Sequence, residues 1–189
     1  PAHSGALYTA EQVRDLDRRA IGVFGIEGYE LMCRAGAATL DALCALWPGA
    51  RTITVLCGPG NNGGDGYVVA RLARSRGLGA NVVPLGDPRA LTGDAGRAYQ
   101  DYTAEGGRCG PWSPALLDAD VIVDALFGTG LARPVSAGAA AMIEGINAAG
   151  RPILAVDVPS GLHADTGAVL GLAVHAEITV TFIGRKQGL

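Results

Sequence analysis

"LCGPGNNGGDGYVVARLA", Leu56 to Ala73, sets five glycines, two asparagines and an aspartate between two apolar runs. Within it Gly58-x-Gly60-x-x-Gly63 has the spacing that lets a strand-to-helix turn bring its backbone against a dinucleotide pyrophosphate. Other features of the stretch suit a dehydrogenase badly. Pro59 has no amide hydrogen to donate, and the extension from Asn61 to Gly66 is expected to delay the helix until Tyr67. A ribose-binding acid should stand at the tip of the second strand, yet Asp87 falls beyond it in a Gly-Asp-Pro turn. The plainer alternative is a turn that needs its glycines only for positive φ.

From this loop onward the pattern is strand, loop, helix, repeated. Strands are expected at Thr52–Cys57, Ala80–Leu85, Asp120–Ala125, Ile153–Val158 and Glu177–Ile183, and helices at Tyr67–Arg76, Gly93–Glu105 and Ser136–Ala149. Strands alternating with helices imply right-handed βαβ crossovers. The fold class is therefore α/β, a Rossmann-like three-layer αβα sandwich with a mainly parallel central sheet. Upstream, Thr9-Ala10-Glu11-Gln12 reads as a capping box before Val13, Leu16, Ala20 and Ile21 at helical spacing. A second helix is expected from Tyr29 to Trp47, stopped by Pro48-Gly49. The result is one domain over 1–189, with helices in 1–50 preceding an α/β core in 51–189.

Composition narrows the class. Hydrophobic residues make up 49% and aromatics only 5%, which points to an aliphatic core with strands buried on both faces. A net charge of −3 and no Lys/Arg run argue against a nucleic-acid surface. No apolar run is long enough to span a bilayer, and Pro1–Tyr8 lacks the basic and apolar segments of a signal peptide. Cys33, Cys44, Cys57 and Cys109 show no metal-ligand spacing and are expected to be buried and reduced, as in a cytoplasmic protein. His3, His163 and His175 lack metal spacing too. Pro159-Ser160-Gly161 resembles a nucleophile elbow only loosely, without the full glycine pattern.

Two further strand ends answer the first loop. "DALFGTGLARP" offers Asp124 and then Gly128-Thr129-Gly130, small residues that let backbone amides approach an anion. "DVPSGLHADTG" offers Asp157, Ser160 and Gly161. In parallel sheets ligands sit beyond the carboxyl ends of the strands, so all three loops should converge on one crevice. Asn62, Asp124 and Ser160 supply oxygen only, with too few carboxylates for tight calcium binding. A monovalent cation completed by backbone carbonyls fits better.

With these loops in hand the chain resembles the NAD(P)H-hydrate epimerase family, the YjeF N-terminal domain, over nearly its whole length. The likeness rests on "YTAEQVRDLDRRAI", "GYELMCRAG", "CGPGNNGGDGYVVAR", "DALFGTGL", "VDVPSGLHADTG" and "TVTFIGRKQGL". The resemblance implies an isomerase that interconverts the R and S forms of NADHX and NADPHX, the hydrates of NADH and NADPH. It implies potassium as cofactor, with Asn62, Asp124 and Ser160 matching the ligands. It implies substrate contacts at Asn61, Asn62, Gly63, Gly64 and Asp65. A second set falls at Gly128, Thr129, Gly130, Leu131, Ala132, Arg133 and Pro134, with Asp157 beside them.

The hydroxyl of such a hydrate sits beside the ring nitrogen, whose lone pair helps expel it. An acid must protonate the departing hydroxyl, and a base must activate water returning to the other face. Asp157 is expected to do this, because Asp124 is occupied by the cation, with Lys186 as the next catalytic candidate. Some relatives carry a lysine where this chain has Gly86-Asp87-Pro88-Arg89, which weakens a mechanism resting on one lysine. The family also includes a domain of an mRNA-decapping scaffold, so the alternative is a non-catalytic nucleotide- or RNA-binding module. The resemblance further implies a homodimer and, in many bacteria, a fused C-terminal ADP- or ATP-dependent dehydratase. Leu31, Met32, Leu40, Leu43, Leu46 and Trp47 exceed one core-facing stripe, so the N-terminal helices are expected in the dimer contact.

Overall fold

The computed structural model describes residues 5–189, so His3 lies outside it. Strand β1 (Leu7–Tyr8) leads directly into helix α1 (Ala10–Gly22). The capping box forms as expected: Thr9 Oγ1 accepts the Gln12 amide at 3.2 Å, and Gln12 Oε1 accepts the Thr9 amide at 2.9 Å. Helix α2 (Gly28–Leu46) follows, and then β2 (Thr52–Cys57), α3 (Asn61–Ser75), β3 (Gly79–Pro84) and α4 (Gly93–Ala104). The chain continues through β4 (Val121–Ala125), α5 (Ala137–Ala148), β5 (Ile153–Val156), β6 (Ile178–Val180) and β7 (Arg185–Lys186).

Five strands form a parallel sheet in the order β3-β2-β4-β5-β6. Side-chain alternation along the strands sorts the core into two layers. Ile53, Val55 and Cys57 of β2 and Val121 and Val123 of β4 face Tyr67, Val68 and Leu40, on the side of α2, α3 and α4. Leu56 and Ile122 face the other way, onto Met142, Ile143 and Ile146 of α5. That is the expected three-layer sandwich.

Three expectations need correction. The strand expected at Ile153–Val158 stops at Val156, and the one at Glu177–Ile183 contracts to Ile178–Val180. Both end early because the backbone turns sharply just beyond them. Of the cysteines, all free, only Cys57 is buried and the other three are half-buried. A separate small sheet, β1 paired in parallel with β7, joins Tyr8 to Lys186 and was not expected.

Candidate active site

From β2 the chain runs outward to β3, and from β4 it runs the opposite way to β5, so a crevice opens at the carboxyl ends of β2 and β4. Backbone approaches at this point require glycine. A Cβ on Gly58 would lie 1.6 Å from the Leu126 carbonyl oxygen, and one on Gly63 would lie 2.0 Å from that of Gly58. One on Gly66 would meet the Ala125 Cβ at 2.7 Å. None of these three glycines has positive φ. Close approach, and not left-handed backbone, is what the loop demands.

The expected delay of the helix does not occur. Helix α3 begins at Asn61 with Gly60 as its N-cap, so Asn61–Gly66 forms its first turns. Gly60 brings no side chain to cap the helix, which leaves first-turn amides free of a side-chain acceptor. Such a terminus attracts anions.

The crevice is a cleft of about 1530 Å³. Pockets that enclose drug-sized ligands span roughly 300–1,000 Å³, so this cleft has room for a larger molecule. Asn61, Asn62 and Asp65 from α3 line it, as do all residues from Gly128 to Pro134, together with Asp157 and Lys186. Gly63 and Gly64 are buried instead, Gly63 on Gly58 and Gly64 on Met32 and Ala95, so they serve packing. Asp87 has no part in the cleft; it caps a short turn and pairs with Arg89.

Asp124 and Ser160 are fully buried and hold one another. Asp124 accepts the Ser160 hydroxyl at 2.6 Å and its amide at 2.8 Å, plus the Leu126 amide at 3.2 Å. Burial nevertheless pushes the carboxyl up to about 6. Ser160 Oγ also accepts the Phe127 amide at 2.8 Å, so this serine is enclosed and is no exposed nucleophile. The next residue, Gly128, places its missing Cβ 3.1 Å from both Asn62 Oδ1 and Asp157 Oδ2. Phe127-Gly128 thus joins the Asp124–Ser160 pair to Asn62 and Asp157. Both polar atoms of the Asn62 amide are buried without a hydrogen-bond partner. Each unmade bond costs about 1–3 kcal/mol, which marks the amide as waiting for a ligand.

Asp157 stands just past β5, at φ +67°, and the Val158 amide donates to the Val156 carbonyl at 2.8 Å around it. This is a γ-turn in its rare, strained form. Ile183 repeats it at φ +66°, with the Gly184 amide donating to the Phe182 carbonyl at 2.7 Å. A β-branched residue there is an outlier, and each such position costs about 1–3 kcal/mol. Between the two turns lies Lys186, wholly buried. Its ammonium donates to Asp157 Oδ1, to Thr181 Oγ1 at 2.9 Å and to the Phe182 carbonyl at 2.9 Å. Strain at both turns is what brings the carboxylate and the ammonium together.

The match to known proteins agrees with this geometry. Residues 28–188 fit the family described as YjeF-related protein N-terminus. The chain belongs to that family. It is 50% identical over 184 residues to the bifunctional NAD(P)H-hydrate repair enzyme Nnr of Coxiella burnetii, covering 97% of this chain and 38% of that protein. It is 43% identical over 188 residues to the NAD(P)H-hydrate epimerase of Limosilactobacillus fermentum, covering 96% of this chain and 87% of that one. A solved yeast structure, ynu0, shares the fold with a TM-score of 0.87 at 23% identity, over 97% of this chain and 82% of its own. The chain thus spans well under half of its bifunctional relatives and most of a single-activity one.

One acid of this YjeF-related site escaped the sequence reading. Asp17, half-buried on α1, lines the cleft from the stripe that includes Val13 and Ile21. Burial and then the Asp157 charge raise its carboxyl, and the same two causes raise that of Asp65 well above the usual range. A carboxylate spaced four residues from two apolar positions of an amphipathic helix was the available signal. The role of Thr181 had none, because it depends on how β6 ends.

Proposed function

We propose that this chain is an NAD(P)H-hydrate epimerase, interconverting the R and S epimers of NADHX and NADPHX. The observation that carries this reading is the buried Lys186–Asp157 pair, set into a large cleft of a chain so similar to a named epimerase. First-turn amides of α3 and the Gly128–Pro134 loop suit the pyrophosphate. Asp157 exchanges protons with the hydroxyl or water at the carbon beside the ring nitrogen, and Lys186 fixes its orientation.

Potassium is the proposed cofactor, held by Asn62, Asp124 and Ser160 with backbone carbonyls. Support comes from the unpartnered Asn62 amide and from the burial of Asp124, whose charge a cation would offset. Among the described residues no three His, Cys, Asp or Glu side chains are placed to hold a metal ion together, and the proposed set carries one carboxylate with two neutral oxygens, as suits a monovalent ion. When bound, the ion would neutralise Asp124 and tie together the loops after β2, β4 and β5.

A dehydratase, fused or separate, is the proposed metabolic partner, and the reducing cytoplasm the proposed compartment. No helix among the described residues is long and apolar enough to cross a membrane. Homodimerisation is proposed as well. Met32, Leu40 and Leu43 are consumed in this subunit's core, but Leu46 is 48% exposed, and Val23 and Phe24 after α1 are 74% and 77% exposed.

The deciding experiment incubates the protein with mixed R- and S-NADHX and an S-specific dehydratase. Faster clearance of the R form is expected. Hydride transfer to a carbonyl substrate would instead indicate a dehydrogenase, and binding without turnover a non-catalytic module.

A further inference from the structure

Epimerisation at a carbon next to nitrogen needs proton transfer on two faces of one ring. Hydroxyl departs from one face and water returns to the other, and two carboxyls delivered by different elements would serve the two faces without the ring having to turn over. Asp17, Asp65 and Asp94 line the cleft beside Asp157, and of these Asp17 alone is delivered by α1. Asp17 comes from α1, while Asp157 comes from the turn after β5, and both line the same cleft. The β1–β7 pairing explains how α1 comes to be there, because Tyr8, two residues before the helix, sits in register with Lys186.

Asp17 has no side-chain hydrogen bond or ion pair with another described residue, unlike Asp157, which Lys186 holds. Asp17 is half-buried at the cleft wall, so its carboxyl is free to meet a bound molecule. The Asn62 amide, buried and unpartnered in the same cleft, independently marks this space as one that a polar ligand completes. Burial and the neighbouring Asp157 charge raise the Asp17 carboxyl against the opposing pull of Lys186, while Asp157 is held in a buried ion pair. Two carboxyls in contrasting environments divide acid from base.

We infer that Asp17 is a second catalytic acid/base of this enzyme, serving the ring face that Asp157 does not. The inference rests on the epimerase reading. In one direction the Asp17 carboxyl gives its proton to the departing hydroxyl, and the C–O bond breaks with its electron pair leaving on oxygen as water. The ring nitrogen lone pair stabilises the resulting cation. A water on the other face then bonds to the same carbon as Asp157 takes its proton. Asp17 ends ionised and Asp157 protonated, which is the state required for the reverse direction. Substrate and product differ only in configuration, and one proton has passed from one acid to the other.

The test uses the full chain, the Asp17→Asn and Asp157→Asn variants, and H₂¹⁸O. Wild-type protein should interconvert the epimers and carry label into both. Asp17→Asn should lose about 10²-fold in epimerisation and bind intact NADH as wild type does. It should still exchange ¹⁸O into one epimer, because Asp157 can expel and return water on its own face. Asp157→Asn should exchange label into the opposite epimer. Asp17→Ala, expected to behave as Asp17→Asn, carries the test should the first variant not fold. Wild-type epimerisation by folded Asp17 variants would overturn the assignment and leave the epimerase reading standing. So would loss of exchange into both epimers with NADH binding intact. A wild-type protein that fails to epimerise at all would overturn both.

Discussion

Lys186, 0% exposed, donates to the carboxylate of Asp157, a residue held at the centre of a γ-turn with φ +67°. Removing one partner of a buried ion pair costs about 3–5 kcal/mol, because the other is left uncompensated, whereas replacing both is often neutral. Asp157→Asn should therefore lower the melting temperature as well as the rate, which should fall about 10²-fold or more. Asparagine tolerates positive φ, so the turn itself should survive. Adding Lys186→Met should restore stability and leave activity low. A double-mutant cycle by thermal melts checks this, and a fully stable Asp157→Asn single variant would contradict it.

The glycine fingerprint contains a built-in comparison. A Cβ on Gly60 meets nothing within 4 Å, while one on Gly63 lies 2.0 Å from the Gly58 carbonyl oxygen. Gly60→Ala should change stability by no more than about 0.5 kcal/mol. Gly63→Ala must displace backbone and should cost at least about 2 kcal/mol. Urea unfolding of the two variants measures the contrast. Equal midpoints would show that the backbone approach is slack.

Asp124 couples the proposed potassium site to pH. Its folded carboxyl, raised from 3.8 to about 6, binds more protons than the unfolded one in that window. Stability from this group therefore falls as pH rises from about 4 through 6, until a cation compensates the charge. Potassium should raise the melting temperature at pH 7 by mass action and do so progressively less below pH 6. Asp124→Asn should remove both the pH trend of this group and the potassium increment. Melts with potassium against an organic cation at matched ionic strength test the linkage; a pH-independent increment would place the ion elsewhere.

The exposed Val23, Phe24 and Leu46 make the proposed dimer testable by mass. Light scattering at micromolar concentration should give twice the 19.2 kDa of one chain. Phe24→Ser should shift the equilibrium toward monomer. A monomeric wild type removes the dimer.

Much of this was legible from local chemistry. The capping box at Thr9, the strand tips at Asp124 and the Gly-rich turn all announce themselves within a few residues. What stayed hidden depends on distance in the chain. The helix start at Asn61 is hidden because six polar and glycine residues read as loop, whereas the Gly58 carbonyl and the Ala125 Cβ demand glycine inside a helix. Asp157 reads as part of a strand, since nothing in Val156-Asp157-Val158 signals a positive φ. Asp17 was visible only as one more acid on an exposed helix until β1 and β7 joined.

That joining has a consequence for how the candidate site comes into being. Lys186 lies on a two-residue strand whose sheet partner is Leu7–Tyr8, at the far end of the described sequence. Contacts of such separation close late, after local βαβ units have formed. A nascent chain can therefore build its sheet, bury its core and shape its nucleotide loops while still lacking the buried lysine. The Lys186–Asp157 pair is completed by the last closure. Fusions or trims that disturb Leu7–Tyr8 should yield a protein that looks folded and does no chemistry.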